Sequence, residues 1–183
     1  MSRLAELRRL APRRPLTRLE AFRVAELQAN RLLRDAEVAG PPVPTTLISD
    51  LSGVSVDYWP RTPVSGSTHW TGSTWIIVVN ADEPRVRQRF SLAHELHHIL
   101  DHPSRDILYK TTRRGARPTE EVVADHFAAC LLMPKRWVRR ALISEGVTNV
   151  PALASLFEVS RIAMRTRLDF LGLSDDAIEQ EAA

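Results

Sequence analysis

Two histidines four residues apart, with a glutamate directly after the first, stand within the run RFSLAHELHHILDH. If Phe90–His102 is helical, His94 and His98 fall about 40° apart on one face, because each residue turns the helix by about 100°. Two neutral imidazoles one turn apart can hold one Zn²⁺. Glu95 flanks that face and can take a proton from a water held beside the ion, the HExxH arrangement of zinc peptidases. Leu92, Ala93, Leu96, Ile99 and Leu100 form an apolar stripe on the opposite face. The spacing therefore predicts an amphipathic helix, anchored by the stripe and stopped by Pro103.

A hydrolytic zinc site takes three protein ligands and keeps a fourth position for water. The extended pattern HExxHxxGxxH would need Gly at 101 and His at 104, but the chain has Asp101 and Ser104. A carboxylate from a second helix is then expected, and PTEEVVADHFAACLLMP supplies it. Thr119 is placed to cap this helix, Glu120 and Glu121 suit its first turn, and Pro134 ends it. Glu121, Asp125, Ala128 and Leu132 share one face, which makes Glu121 the third ligand ahead of Glu120. Asp125, one turn on, is placed to accept a hydrogen bond from the far nitrogen of a ligand histidine. His97 reads as a surface or supporting histidine, His102 as a supporting or solvated one, and His126 as no ligand. His69 and Tyr109 are candidate stabilisers of the transition state, alongside Arg113 and Arg114.

These helices need a scaffold. The arginines concentrate between Arg3 and Arg34, interspersed with Leu16, Leu19, Ala25, Leu27, Leu32 and Leu33, which predicts a basic amphipathic helix ending near Gly40. PPVP at 41–44 breaks the chain stiffly. A short helix over Thr45–Leu51 and a strand over Gly53–Trp59 follow; Ser65–Ser73 reads as a turn, and Trp75–Asn80 as a buried or edge strand. Beyond Pro134, a helix is expected over Lys135–Ser144. Asn149 with Pro151 opens another, and Ser160 caps a last one ending at Gly172. That last pair resembles a helix-turn-helix, with Arg161, Arg165 and Arg167 placed to meet phosphates, or else a packing unit that closes the domain. The chain so divides into 1–40, 41–134 and 135–183.

Several of these strings together resemble the ImmA/IrrE metallopeptidase family: WIIVVN, RQRFSLAHELHHILDH, EVVADHFAACLLMP and LASLFEVSRIAMRTRLDFLGL. The resemblance spans roughly Val43 to Leu173. It implies an α+β fold in which a zincin-like core, with a small mixed or antiparallel sheet and active-site helices, carries an N-terminal helix and a C-terminal helix-turn-helix-like segment. It also implies a zinc endopeptidase of the gluzincin type that cleaves a partner such as a helix-turn-helix repressor of a phage or mobile element. By position, His94, His98 and Glu121 would be the zinc ligands and Glu95 the general base. His97 stands where the family commonly has Gly, and Asp125 where Asn is common; neither change removes a catalytic group.

Bulk properties narrow the classes. The chain has 183 residues, 44% of them hydrophobic, enough for one domain with a real core. Its single cysteine, Cys130, rules out a disulfide framework and suits a reducing cytoplasm. The arginine-rich start lacks the apolar stretch of a secretory signal, and WIIVV is too short to span a bilayer. A formal net charge of +3 is mild, so nucleic acid is a weaker expectation than a protein substrate. Two other classes stay open: a DNA-binding or protein-interaction regulator with a structural or sensory zinc, and a toxin–antitoxin-like component. Two histidines and a carboxylate also accept Mn²⁺ or Fe²⁺.

Overall fold

The computed structural model describes residues 2–109 and 118–173. Helix α1 (Arg3–Arg8) leads into α2 (Arg18–Asp35), which starts at a capping box: the Thr17 hydroxyl accepts from Glu20 N–H, and the Glu20 carboxylate accepts from Thr17 N–H. A short α3 (Thr46–Ser49) precedes three strands, β1 (Val54–Trp59), β2 (Gly66–Trp70) and β3 (Trp75–Asn80). Then come α4 (Arg85–Asp101), α5 (Arg105–Leu108), α6 (Thr119–Leu132) and α7 (Lys135–Arg139). The last runs on into a π-helical turn over Arg140–Ser144. A final pair, α8 (Val150–Phe157) and α9 (Arg161–Leu171), closes the described chain.

The fold is α+β, and its sheet is small and mixed. Strand order is β1-β3-β2, with β1 parallel and β2 antiparallel to β3. β3 is apolar at Trp75, Ile76, Ile77, Val78 and Val79 because it lies in the middle, paired on both edges and packed against α4. It is therefore the central strand and not an edge. The turn expected over Ser65–Ser73 is instead largely strand β2. Its Gly, Ser and Thr residues show no apolar alternation because an edge strand at the surface has little core to face.

α4 is the spine of the molecule. The expected stripe is buried, but so are Arg89, Ser91, Glu95, His97 and Asp101 on its other sides. The helix is wrapped by α6, β2, β3, α1 and α3, so its polar face meets protein rather than solvent. Arg89 satisfies its guanidinium on Val43 and Glu158 carbonyl oxygens at 2.9 and 3.1 Å, tying α4 to the chain after the proline break and to the α8–α9 turn. At the other end, Arg8 donates to Ile99 O at 2.8 Å and fastens α1.

α2 packs against α6, burying Ala21, Ala25, Ala29, Leu32 and Leu33, while Gln28 donates to Leu7 O of α1 at 3.2 Å. Two leucines expected on its apolar face, Leu19 and Leu27, are exposed instead. Small residues carry the contact because they let two helices lie close. Asn149 and Ser160 cap α8 and α9 as expected, whereas Thr119 is the first residue of α6 and makes no side-chain cap. The turn between α8 and α9 places Glu158 in the left-handed region, φ 51°. Arg167 is buried, with Nε donating to Met133 O at 3.0 Å. It holds α9 to the end of α6 and is not presented to a phosphate. Cys130 is buried, and burial pushes its thiol up to about 11. No described helix is long and apolar enough to cross a membrane.

Candidate metal centre

α4 and α6 lie side by side, and the residues facing across the seam form the site. His94 and His98 bring their Nε2 atoms to 3.0 Å. Glu121, in the first turn of α6, sets one carboxylate oxygen 3.5 Å from His94 Nε2 and the other 3.3 Å from His98 Nε2. Among the described residues, these three form the one group of histidine, cysteine and carboxylate side chains gathered closely enough to hold a metal ion. Ligands at about 2.0–2.1 Å from one tetrahedral ion lie roughly 3.3 Å from one another. The observed separations match that spacing, so the donor set fits zinc.

The surroundings prepare the donors. His94 Nδ1 donates to Asp125 Oδ1 at 2.8 Å, which fixes the tautomer and leaves the Nε2 lone pair facing His98 and Glu121. Burial, then the neighbouring His94, holds His98 below its ordinary value, favouring the neutral imidazole that a metal requires. Glu120, the competing carboxylate, turns away and pairs with Arg105 at 2.6 Å.

Glu95 occupies the other side of the group. Burial raises its carboxyl above the usual range, with the charge of Glu121 adding to the effect and His94 opposing it. A raised carboxyl is a better proton acceptor near neutrality. Glu95 lies directly against Gly66 of β2, so that a Cβ there would fall 2.9 Å from Glu95 Cγ. Sequence reasoning missed Gly66. Its signal, a glycine within a strand marking close backbone approach, was hidden because the segment reads as a turn. A cavity of about 780 Å³ opens onto His94, Glu95, Glu121 and Asp125 and extends to Phe22 and α9.

The other sequence candidates lie elsewhere. His97 is a core residue rather than a surface one, about 60° around the helix from His94. Its ring packs 5.0 Å from Phe127, and Nδ1 is 3.5 Å from Asp101. His102 is exposed and set edge-on to Trp75. His126 stacks on Phe22 at 4.1 Å and lines the same cavity. His69 is exposed on β2 beside Ser67, and the Tyr109 hydroxyl donates to Asp101; neither lines the cavity. Arg113 and Arg114 lie outside the described residues.

The M78 peptidase family, described as the IrrE N-terminal-like domain, matches residues 51–169, a stretch that contains every residue of this site. The chain belongs to the ImmA/IrrE family. A solved structure of a Mycobacterium tuberculosis transcriptional regulator shares the fold, with a TM-score of 0.60 at 19% identity, over 79% of this chain and 55% of that one. The chain thus spans little more than half of that protein's length. No curated protein matches it. The ImmA/IrrE family is of the zinc metallopeptidase type, and the His94, His98 and Glu121 group is one that could hold a metal ion.

Proposed function

We propose that this chain is a zinc-dependent endopeptidase that cuts a specific regulatory protein, such as a helix-turn-helix repressor. The observation that carries this reading is the convergence of His94, His98 and Glu121 with Glu95 beside them at the edge of a cavity. Those first three residues would hold the ion, which when bound supplies polarisation of the scissile carbonyl and a lowered water pKa. Asp125 keeps His94 in the ligating tautomer. Glu95 accepts the proton of the attacking water as the new C–O bond forms, then passes it to the amine as the C–N bond breaks. Burial of Glu95 keeps bulk water from competing for that proton. His94 and His98, two of the three residues that would hold the ion, share α4 with Glu95, which fixes their relative placement, while α6 brings Glu121.

The test is cleavage of candidate regulators by the zinc-loaded chain, read by mass spectrometry, beside Glu95→Gln. A single cut made by the wild type and not by the variant supports the proposal. Cutting at equal rates in both sinks the role of Glu95. A second reading, a DNA-binding regulator with a structural zinc, draws on the exposed Arg161 and Arg165 of α9 and on the likeness to a protein described as a transcriptional regulator. It predicts DNA binding unchanged in Glu95→Gln and no proteolysis.

A further inference from the structure

The cavity does not end at the metal group. It follows the seam between α4 and α6, from His94 and Asp125 past Phe90 and Ala129 to Arg87 and Met133. Along α6, Glu121 to Met133 spans about 18 Å at about 1.5 Å per residue, the length of roughly five residues of extended chain. One wall is α9, through Ile162, Ala163, Thr166 and Phe170 at helical spacing. Ile162 is 80% and Phe170 55% exposed, so both leave apolar surface open at this wall. Phe22 of α2 completes this wall, its ring 6.0 Å from that of Phe170 and stacked on His126.

This face of α9 is the one a helix-turn-helix reading leaves unexplained. A DNA-reading helix presents polar and cationic side chains to bases and phosphates. Here Ile162, Ala163 and Phe170, with Thr166 and Arg167 beside them, face a cavity continuous with His94 and Glu95, and a duplex cannot enter a space of about 780 Å³. A polypeptide segment lying along the seam would pass directly by the reacting groups. We propose that α9 and Phe22 form the recognition wall for the protein substrate, taking an aromatic or long aliphatic side chain near the cut bond. The inference rests on the peptidase reading and names what that site selects.

The experiment uses the full, zinc-loaded Glu95→Gln chain, which should bind without cutting, and synthetic heptapeptides carrying photoleucine at each position in turn. Cross-links are mapped by mass spectrometry. The expected result is labelling that clusters on Phe22, Ile162 and Phe170. Ile162→Asp and Phe170→Ala should each lower its yield about tenfold, with zinc content unchanged. Labelling confined to other surfaces, or unaffected by both substitutions, overturns the proposal. So does a labelled DNA duplex whose binding is abolished by Arg161→Glu with Arg165→Glu and is untouched by the peptides. Cutting of the same peptides by the wild type is scored separately. Peptides that label the wall, with neither they nor any candidate regulator cut by the zinc-loaded wild type, would overturn the peptidase reading and leave only a peptide-binding wall.

Discussion

Gly66 and Glu95 touch across the junction of sheet and active-site helix: a Cβ on residue 66 would sit 2.9 Å from Glu95 Cγ and 3.1 Å from its Oε1. The glycine is needed for space, since it is the absence of a side chain that lets the carboxylate lie against β2.

Gly66→Ala should therefore displace Glu95 without disturbing the metal group. We expect kcat to fall about 10- to 100-fold, in line with the cost of misplacing a reacting group by about 1 Å. Zinc content should stay as in the wild type. Steady-state kinetics beside elemental analysis check this, and equal loss of zinc and activity would contradict it.

Asp125 should act through His94. Removing the acceptor of the 2.8 Å hydrogen bond in Asp125→Ala is expected to weaken zinc affinity about 10- to 100-fold. Asp125→Asn keeps an acceptor oxygen and should lose much less. Competition against a chelator of known affinity separates the two variants.

Two buried groups should oppose one another in the acid stability profile. Burial, and to a lesser extent Arg167, pushes His126 down to about 4 from 6.5, so its contribution is complete above pH 6.5 and is lost as pH falls through about 4. Burial pushes Asp101 up to about 6 from 3.8, against the hydrogen bond from Tyr109. Its contribution is present below pH 3.8 and is lost as pH rises through about 6. Each amounts to about 3 kcal/mol at full effect. His126→Phe should lose less stability than the wild type between pH 7 and 4.5, and Asp101→Asn should lose more. Urea midpoints at the two pH values measure both. Identical profiles in all three proteins would contradict the assignment.

Arg167→Ala should destabilise the fold by about 2–4 kcal/mol, because it strips a buried hydrogen bond and packing between α9 and the end of α6. Arg161→Ala and Arg165→Ala, on the exposed side of the same helix, should change stability by less than about 0.5 kcal/mol. Denaturant titration distinguishes the buried arginine from its two solvated neighbours.

The parts of this protein legible in its sequence are those fixed by short-range rules. His94 and His98 meet because a helix returns to the same face every turn. Glu121 and Asp125 repeat that spacing, and Asn149, Ser160 and Gly172 mark helix ends through local hydrogen bonding and backbone freedom. What stayed hidden depends on partners distant along the chain. His97 and Arg167 carry polar groups that suggest solvent, yet α6 covers the first, and the Met133 carbonyl at its C-terminal end accepts from the second. β2 could not be told from a turn, since its role is to bring the backbone of Gly66 up to a residue far along the chain. α2 packs through alanines, which carry a weaker hydrophobic signal than Leu19 and Leu27 on its exposed side.

The central claim is tested most directly by the metal content of the purified chain, measured by elemental analysis after zinc loading and desalting, beside His98→Ala and Glu121→Ala. The account predicts about one zinc per wild-type chain, and loss of that zinc in both variants while circular dichroism shows them folded. A wild type that holds no zinc after loading, or variants that keep it, would contradict the account.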